Sequence, residues 1–272
     1  MLKTTVLVLI TAGVFAPAAR AQGGGDRQTA AGQQVEARKS APAPLRDLSG
    51  IWLPRIGAQG SGAAAMPADG KPQHELPYTP YGLEMAKRNK SSNGPQQVLA
   101  VEENDPAHSC DPQGFPREDL FELRATQFLQ MPLKMVLLYT YGKVYRVVWT
   151  DGRELPQDPD PRWYGYSVGQ WRDDYTFAVE TNGTDPRTWL DNAGRPHSED
   201  LRVEEVFHRL DRDNMELTVT LDDPKVYTKP WVALDRVRFT LMPPNTDLPE
   251  MLCSPSELAL YNRKYAPGSK KK

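Results

Sequence analysis

The sequence predicts an all-β protein: an antiparallel up-and-down barrel of about eight or nine strands, with a short helix before the main run of strands and another after it. Three observations carry this. Short runs that alternate apolar and polar residues recur from Leu48 to Leu241. Turn-forming pairs such as Asp151-Gly152 and Asp173-Asp174 separate them. Helical patterns are confined to the flanks of this region. A β-sandwich would give the same pattern and stands as the alternative. A barrel is preferred because the runs follow one another by short turns and demand no Greek-key crossover.

The elements follow in order. Leu48 to Trp52 is a short first strand. Thr79 to Lys87 reads as a helix, with Thr79 as N-cap and Pro80 in the first turn. Asn89 to Arg117 is a long excursion rich in Pro, Asn and Gly. Strands are then expected at Arg124 to Gln130 and Lys134 to Tyr141, and, past Gly142, at Lys143 to Thr150. In the last of these Tyr145, Val147 and Trp149 share one face, and Val144, Arg146 and Val148 share the other. Further strands are expected at Tyr166 to Arg172, Tyr175 to Thr181, Leu201 to Leu210, Met215 to Leu221 and Val232 to Leu241. Ser254 and Glu257 form a capping box that opens a C-terminal helix ending near Tyr265.

The two ends of the chain read differently from its middle. Met1 and Lys3, an apolar stretch from Val6 to Ala16 and the Ala19-Arg20-Ala21 site match a secretory leader over residues 1–21. That stretch is shorter than the roughly 18 apolar residues a spanning helix needs, and no other run reaches that length. Residues 22–45 lack apolar periodicity and read as a disordered tether, 46–266 as a single barrel domain and 267–272 as a basic tail. The expected location is the periplasm or outside the cell. In such a compartment the pair Cys110 and Cys253 reads as one disulfide, closing a loop of 143 residues.

Composition excludes some functions. With 33 Lys+Arg against 35 Asp+Glu the net charge is −2, without the basic footprint of a nucleic-acid binder. Histidine spacing gives no metal motif, although His108 with Asp105 and Asp111 could meet in a loop. No phosphate loop, nucleotide fingerprint or Gly-x-Ser-x-Gly elbow occurs, and no metal or cofactor is expected.

Several stretches resemble a family. Asp47-Leu48-Ser49-Gly50-Ile51-Trp52 resembles the opening of lipocalin-like domains, where Gly-x-Trp enters the first strand. Cys110 to Arg117, Trp149 to Pro156, Trp163 to Gly169, Thr188 to Glu199 and Asp222 to Trp231 together resemble a family of exported bacterial proteins, over roughly Leu48 to Cys253. The family implies a lipocalin-like barrel and export, and brings no activity with it. Where its pattern has a Gly-Asp turn, this chain has Arg172-Asp173-Asp174 after Trp171.

Polar and aromatic residues concentrate in three connections: Asp151 to Tyr164, Asn182 to Asp200 and Asp222 to Trp231. Counted from Lys134, they follow alternate hairpins, which would gather them on one rim. A barrel of about eight strands can hold one small ligand. The first functional reading is therefore a binding module for a small apolar or aromatic molecule, with Trp149, Trp163, Trp189 and Trp231 near the mouth. Arg146, flanked by Val144 and Val148, is either an outward arginine between outer valines or a buried one paired with a carboxylate such as Glu204; buried and paired, it could bind a ligand carboxylate. Asp151, Arg153, Tyr166 and Tyr227 complete the expected contacts. The second reading is an enzyme (hydrolase, isomerase or lyase) with His197 as acid or base, oriented by Asp191 or Glu204. A loop-capping role for His197 fits the same residues. The third is a structural subunit of an envelope complex that uses the aromatic rim as an interface. The sequence leaves the oligomeric state open.

Overall fold

The computed structural model describes residues 40–55, 67–99, 102–121 and 123–265. The expected leader and basic tail lie outside the described residues. Of the expected tether, residues 40–45 are described, and they are tied to the sheet. Arg212 N donates to the Ala41 carbonyl at 2.8 Å, and Ser40 Oγ donates to Asp213 Oδ2 at 2.9 Å.

Nine strands close one barrel, as expected. They are β1 (Gly50–Pro54), β2 (Thr126–Gln130), β3 (Lys134–Tyr139), β4 (Tyr145–Trp149) and β5 (Tyr166–Trp171), then β6 (Thr176–Asn182), β7 (Arg202–Arg209), β8 (Asn214–Asp222) and β9 (Trp231–Leu241). The two expected helices are α1 (Pro80–Arg88) and α3 (Pro255–Tyr265); a third, α2 (Arg117–Leu120), lies in the excursion. Thr79 caps α1 as expected, its Oγ1 accepting from Gly82 N at 3.0 Å.

Each strand neighbours the next in sequence, and β9 returns to β1. All pairs are antiparallel except β4 and β5, which run parallel with Val148 opposite Ser167 and Trp149 opposite Val168. The exception is arithmetic. Strand directions cannot alternate all the way round a closed ring of nine, so one pair must break the rule. Here it falls after β4, and residues 150–165 carry the chain from one end of the barrel back to the other.

The hydrophobic pattern is the pattern of the barrel's two faces. Inward residues of β7 and β8, such as Val203, Phe207, Met215, Leu217 and Val219, are almost fully buried. Rings from opposite walls meet: Phe128 of β2 and Phe207 of β7 stand edge to face with centroids 5.3 Å apart. Side chains therefore fill the lumen where an open ligand chamber was anticipated.

One end, the hairpin end, carries the short connections 131–133, 172–175 and 210–213. Trp52 closes it: it is fully buried, and its Nε1 donates to the Leu48 carbonyl at 2.9 Å. The Arg209 guanidinium lies 4.7 Å from the Trp52 ring and donates to the carbonyls of Asp47, Asp211 and Arg212. The other end carries the long connections 183–201 and 223–230. Two of the three expected loops thus share a rim. The third leaves from the hairpin end and reaches that rim by Pro156, whose carbonyl accepts from Asn182 Nδ2 at 2.7 Å, and again at Arg162, which bridges Thr184.

Candidate functional site: the plugged end of the barrel

The excursion between α1 and β2 closes the second end. The disulfide Cys110–Cys253 joins its middle to the C-terminal segment, with Cα atoms 5.3 Å apart. Beyond Cys110 the chain enters the barrel mouth as a plug. Phe115 is fully buried, and its N donates to the Trp163 carbonyl at 2.8 Å. Gly114 permits this approach: at φ +74° it sits where a Cβ would meet Thr188 Cγ2 at 2.4 Å. All four residues of α2 are buried, three of them charged in water. Arg117 is answered by Asp105, with Nη1–Oδ1 and Nη2–Oδ2 distances of 2.9 and 2.7 Å.

Below the plug, charge crosses the lumen. Arg146 faces inward from β4, and its Nη2 contacts both oxygens of Glu205 on β7, at 2.7 and 2.6 Å. Glu205 is the partner that sequence reading assigned to Glu204. Glu204 points outward and pairs with Arg172. The Phe115 ring covers the Arg146 guanidinium, its centroid 3.9 Å from the guanidinium carbon. Asp119 lies against Glu205. Burial, then the Glu205 charge, raise its carboxyl well above the ordinary range, opposed by Arg146. Tyr139 and Tyr164 stack with centroids 6.5 Å apart, and Tyr164 OH donates to Glu118 Oε1 at 3.2 Å. Burial holds both phenols protonated. Arg146 Nε and Nη1, Asp119 Oδ2 and Tyr139 OH are buried without a partner among the described residues. Each such group costs on the order of 1–3 kcal/mol.

His197 is fully buried, away from both of its expected partners. Its Nδ1 donates to the Ser198 carbonyl at 3.1 Å, since a carbonyl can only accept, and its Nε2 lies 2.7 Å from Thr188 Oγ1. Burial pushes the imidazole below its ordinary value, and the Thr188 hydroxyl beside Nε2 also donates to the Asp185 carbonyl at 2.9 Å. Asp191 accepts instead from Ala193 N at 2.9 Å and pairs with Arg195 at 3.5 Å. Ser198 is held by Asp223, whose carboxylate accepts from its N at 2.6 Å and its Oγ at 2.8 Å. This is loop architecture.

The aromatic residues do not form one mouth. Trp149 sits on the outer wall between Arg153, at 3.7 Å, and Lys134, at 5.6 Å. Asp151 binds Arg153 there, and both are exposed. Tyr166 lies under Arg162 at 3.9 Å, and Trp163 under Arg187 at 4.5 Å. Trp189 and Trp231 are buried at the plugged end. Tyr227 is buried between Tyr78, at 5.3 Å, and Trp231, at 5.5 Å, and its OH donates to the Pro196 carbonyl at 2.7 Å.

Beside this end lies a cleft of about 560 Å³, outside the barrel. Its walls are residues 67–78, α1 with its following turn, and residues 193–195. Packing of α1 against the 223–230 connection fixes the walls. A Cβ at Gly82 would lie 2.1 Å from the Val226 carbonyl oxygen, so only glycine lets the helix approach. Thr79 N donates to that carbonyl, and Asn89 Nδ2 donates to the Gly194 carbonyl at 2.8 Å. The basic side chains on the walls are paired with neighbouring carboxylates, and Glu75 is exposed. Asp69 holds Lys71 at 2.9 Å and His74 at 2.8 Å, which keeps its carboxyl far below the ordinary range. Burial raises the Tyr78 phenol to about 12, so the ring enters the wall uncharged.

Glu103, Asp105 and His108 come together, but both Asp105 oxygens are taken by Arg117, a cation where a metal would need an open ligand. Compared with protein families, curated proteins and solved structures, the chain gives no match. No helix among the described residues is long and apolar enough to cross a membrane. Sequence reading missed Glu205, Asp119, Glu118, Tyr139 and the cleft. One signal was available: alternation on β7 puts Glu205 on the face of Val203 and Phe207.

Proposed function

We propose that this is an exported binding protein, and that its ligand is a small uncharged molecule with an apolar or aromatic face, held in the cleft beside the plugged end. One observation carries the reading: the cleft is preformed and the basic side chains on its walls, Lys71, His74 and Arg195, are already paired with the carboxylates of Asp69 and Asp191. Its volume of about 560 Å³ falls within the range of small-molecule sites, about 300–1,000 Å³. An anionic ligand would have to compete with Asp69 for Lys71, or with Asp191 for Arg195. An uncharged one meets Tyr78 and Leu83 with its apolar face, and Asn93 and Gln96 with its polar edge. Export is supported by the leader pattern and by the disulfide. A catalytic reading through His197 has less support, because the imidazole is fully buried and both ring nitrogens are engaged, by Thr188 and Ser198.

The test is native mass spectrometry of the exported protein, with extraction of anything bound. The expected result is an added mass that leaves on denaturation and is absent from Ala86→Trp, which fills the cleft from the α1 wall. An adduct retained by Ala86→Trp overturns the cleft as the site. An apo assembly of several chains overturns the binding reading in favour of an interface.

A further inference from the structure

The plug seals the barrel with ionisable groups as well as apolar ones. Four titratable side chains face the Asp119 carboxyl: Glu205 from β7, Arg146 from β4, Tyr139 from β3 and Glu118 from its own helix. All are buried. Arg146 is engaged with Glu205 through two close contacts. One guanidinium cannot neutralise Glu205 and Asp119 together, and two carboxylates this close in a dry interior keep one proton between them.

We propose that Asp119 and Glu205 latch the plug by sharing one proton, and that loss of this proton to solvent releases residues 113–120 and opens the barrel to a ligand. No other covalent bond changes; the hydrogen bonds of Arg117 to Asp105 and of Phe115 N to the Trp163 carbonyl open with the plug. Once the proton has gone, two carboxylates confront one guanidinium, and the Tyr139 and Tyr164 phenols, held protonated, supply no positive charge. The disulfide at Cys110 keeps the foot of the plug in place, so the opening is a local and reversible displacement. Departure of Phe115 uncovers the face of Arg146 it now covers at 3.9 Å. The unpartnered Nε and Nη1 of Arg146 then become donors for an incoming carbonyl or carboxyl group. The ligand class is a small molecule that carries such a group on an apolar body. The space for it is the one Phe115 vacates, separate from the external cleft and independent of it.

The experiment is amide hydrogen exchange over residues 111–121 of the whole exported protein between pH 5 and 8, corrected for intrinsic exchange. The open state gives up its proton at an ordinary carboxyl value and the closed state holds it. The opening constant therefore rises with pH, by at most about tenfold per unit. The wild type is expected to gain about a hundredfold between pH 5 and 7, two units at that limiting slope. Asp119→Asn keeps a hydrogen-bonding group without a titrating proton and is expected to stay flat. The 13C shift of the Asp119 carboxyl in the wild type gives a second readout and is expected to report the protonated form through pH 7. An equal rise in both proteins, no rise in the wild type, or a carboxyl that ionises in the ordinary acid range overturns the latch.

Discussion

Each end of the barrel holds a buried arginine against an aromatic ring, and the two are satisfied in opposite ways. At the hairpin end Arg209 lies on Trp52 and donates to three backbone carbonyls from two short stretches. Those partners carry no proton that can be lost and cannot leave without unfolding the turn. At the plugged end Arg146 lies under Phe115 and is answered by Glu205, with Nε and Nη1 unpartnered. Its partners titrate, and its cover belongs to a segment outside the sheet. One end ties the fold together, and the other keeps buried charge under a removable piece. A charge on carbonyls serves stability, whereas a charge on a carboxylate under a plug is open to regulation.

The sharpest way to break this contrast is to remove Glu205. Glu205→Leu leaves Arg146 buried without its carboxylate, and the expected loss is about 3–5 kcal/mol in urea denaturation at pH 7. The double change Arg146→Leu with Glu205→Leu is expected to recover most of that loss. A double variant as unstable as the single one would show that this pair ties the fold as Arg209 does. Next in size is the disulfide. Cys110→Ser with Cys253→Ser is expected to cost about 2–5 kcal/mol and to raise hydrogen exchange in the plug more than in the β7–β8 turn. Equal loosening of both ends would mean that the bridge does not act on the plug.

The pH dependence of stability sharpens the comparison further, because two buried groups at the plugged end act with opposite sign. His197 is held below its ordinary value. The stability it contributes is complete above about pH 6.5 and is lost as pH falls through its lower folded value. Asp119 is held above its ordinary value. Its contribution is complete below about pH 3.9 and is lost as pH rises towards its folded value. His197→Asn should flatten the acid side of a stability profile and Asp119→Asn the neutral side, while Trp52→Phe at the hairpin end should lower the curve without changing its shape. The smallest expected effect is Thr79→Ala, about 1 kcal/mol for a lost N-cap, read as a small fall in urea midpoint together with weaker ligand retention in the cleft.

The parts of this molecule that repeat were legible in the sequence. Alternation with period two located the strands, and it put Arg146 on the face of Val144 and Val148 without saying which face was inward. The same rule, applied to Val203, Glu205 and Phe207, identifies its partner; choosing Glu204 ignored the alternation. The plug was not legible, because Phe115 and Asp119 lie in a Pro-rich stretch without period, and their burial comes from a bridge to the distant Cys253. The cleft was hidden for the same reason, since its walls come from residues 67–96 and 193–195. His197 misled because a histidine near carboxylates in sequence has no fixed relation to them in space. Here a carbonyl and a threonine were nearer.

The strand count constrains how this architecture can vary. Hairpins add strands in twos and preserve parity, so inserting or deleting a whole hairpin leaves an odd ring odd. A closed ring of nine strands with each next to its sequence neighbour always contains a parallel step. The span 150–165 is therefore a requirement of closure, and its composition can drift while its reach cannot. A barrel of this kind could lose that span only together with a single strand, or by leaving a gap in its wall.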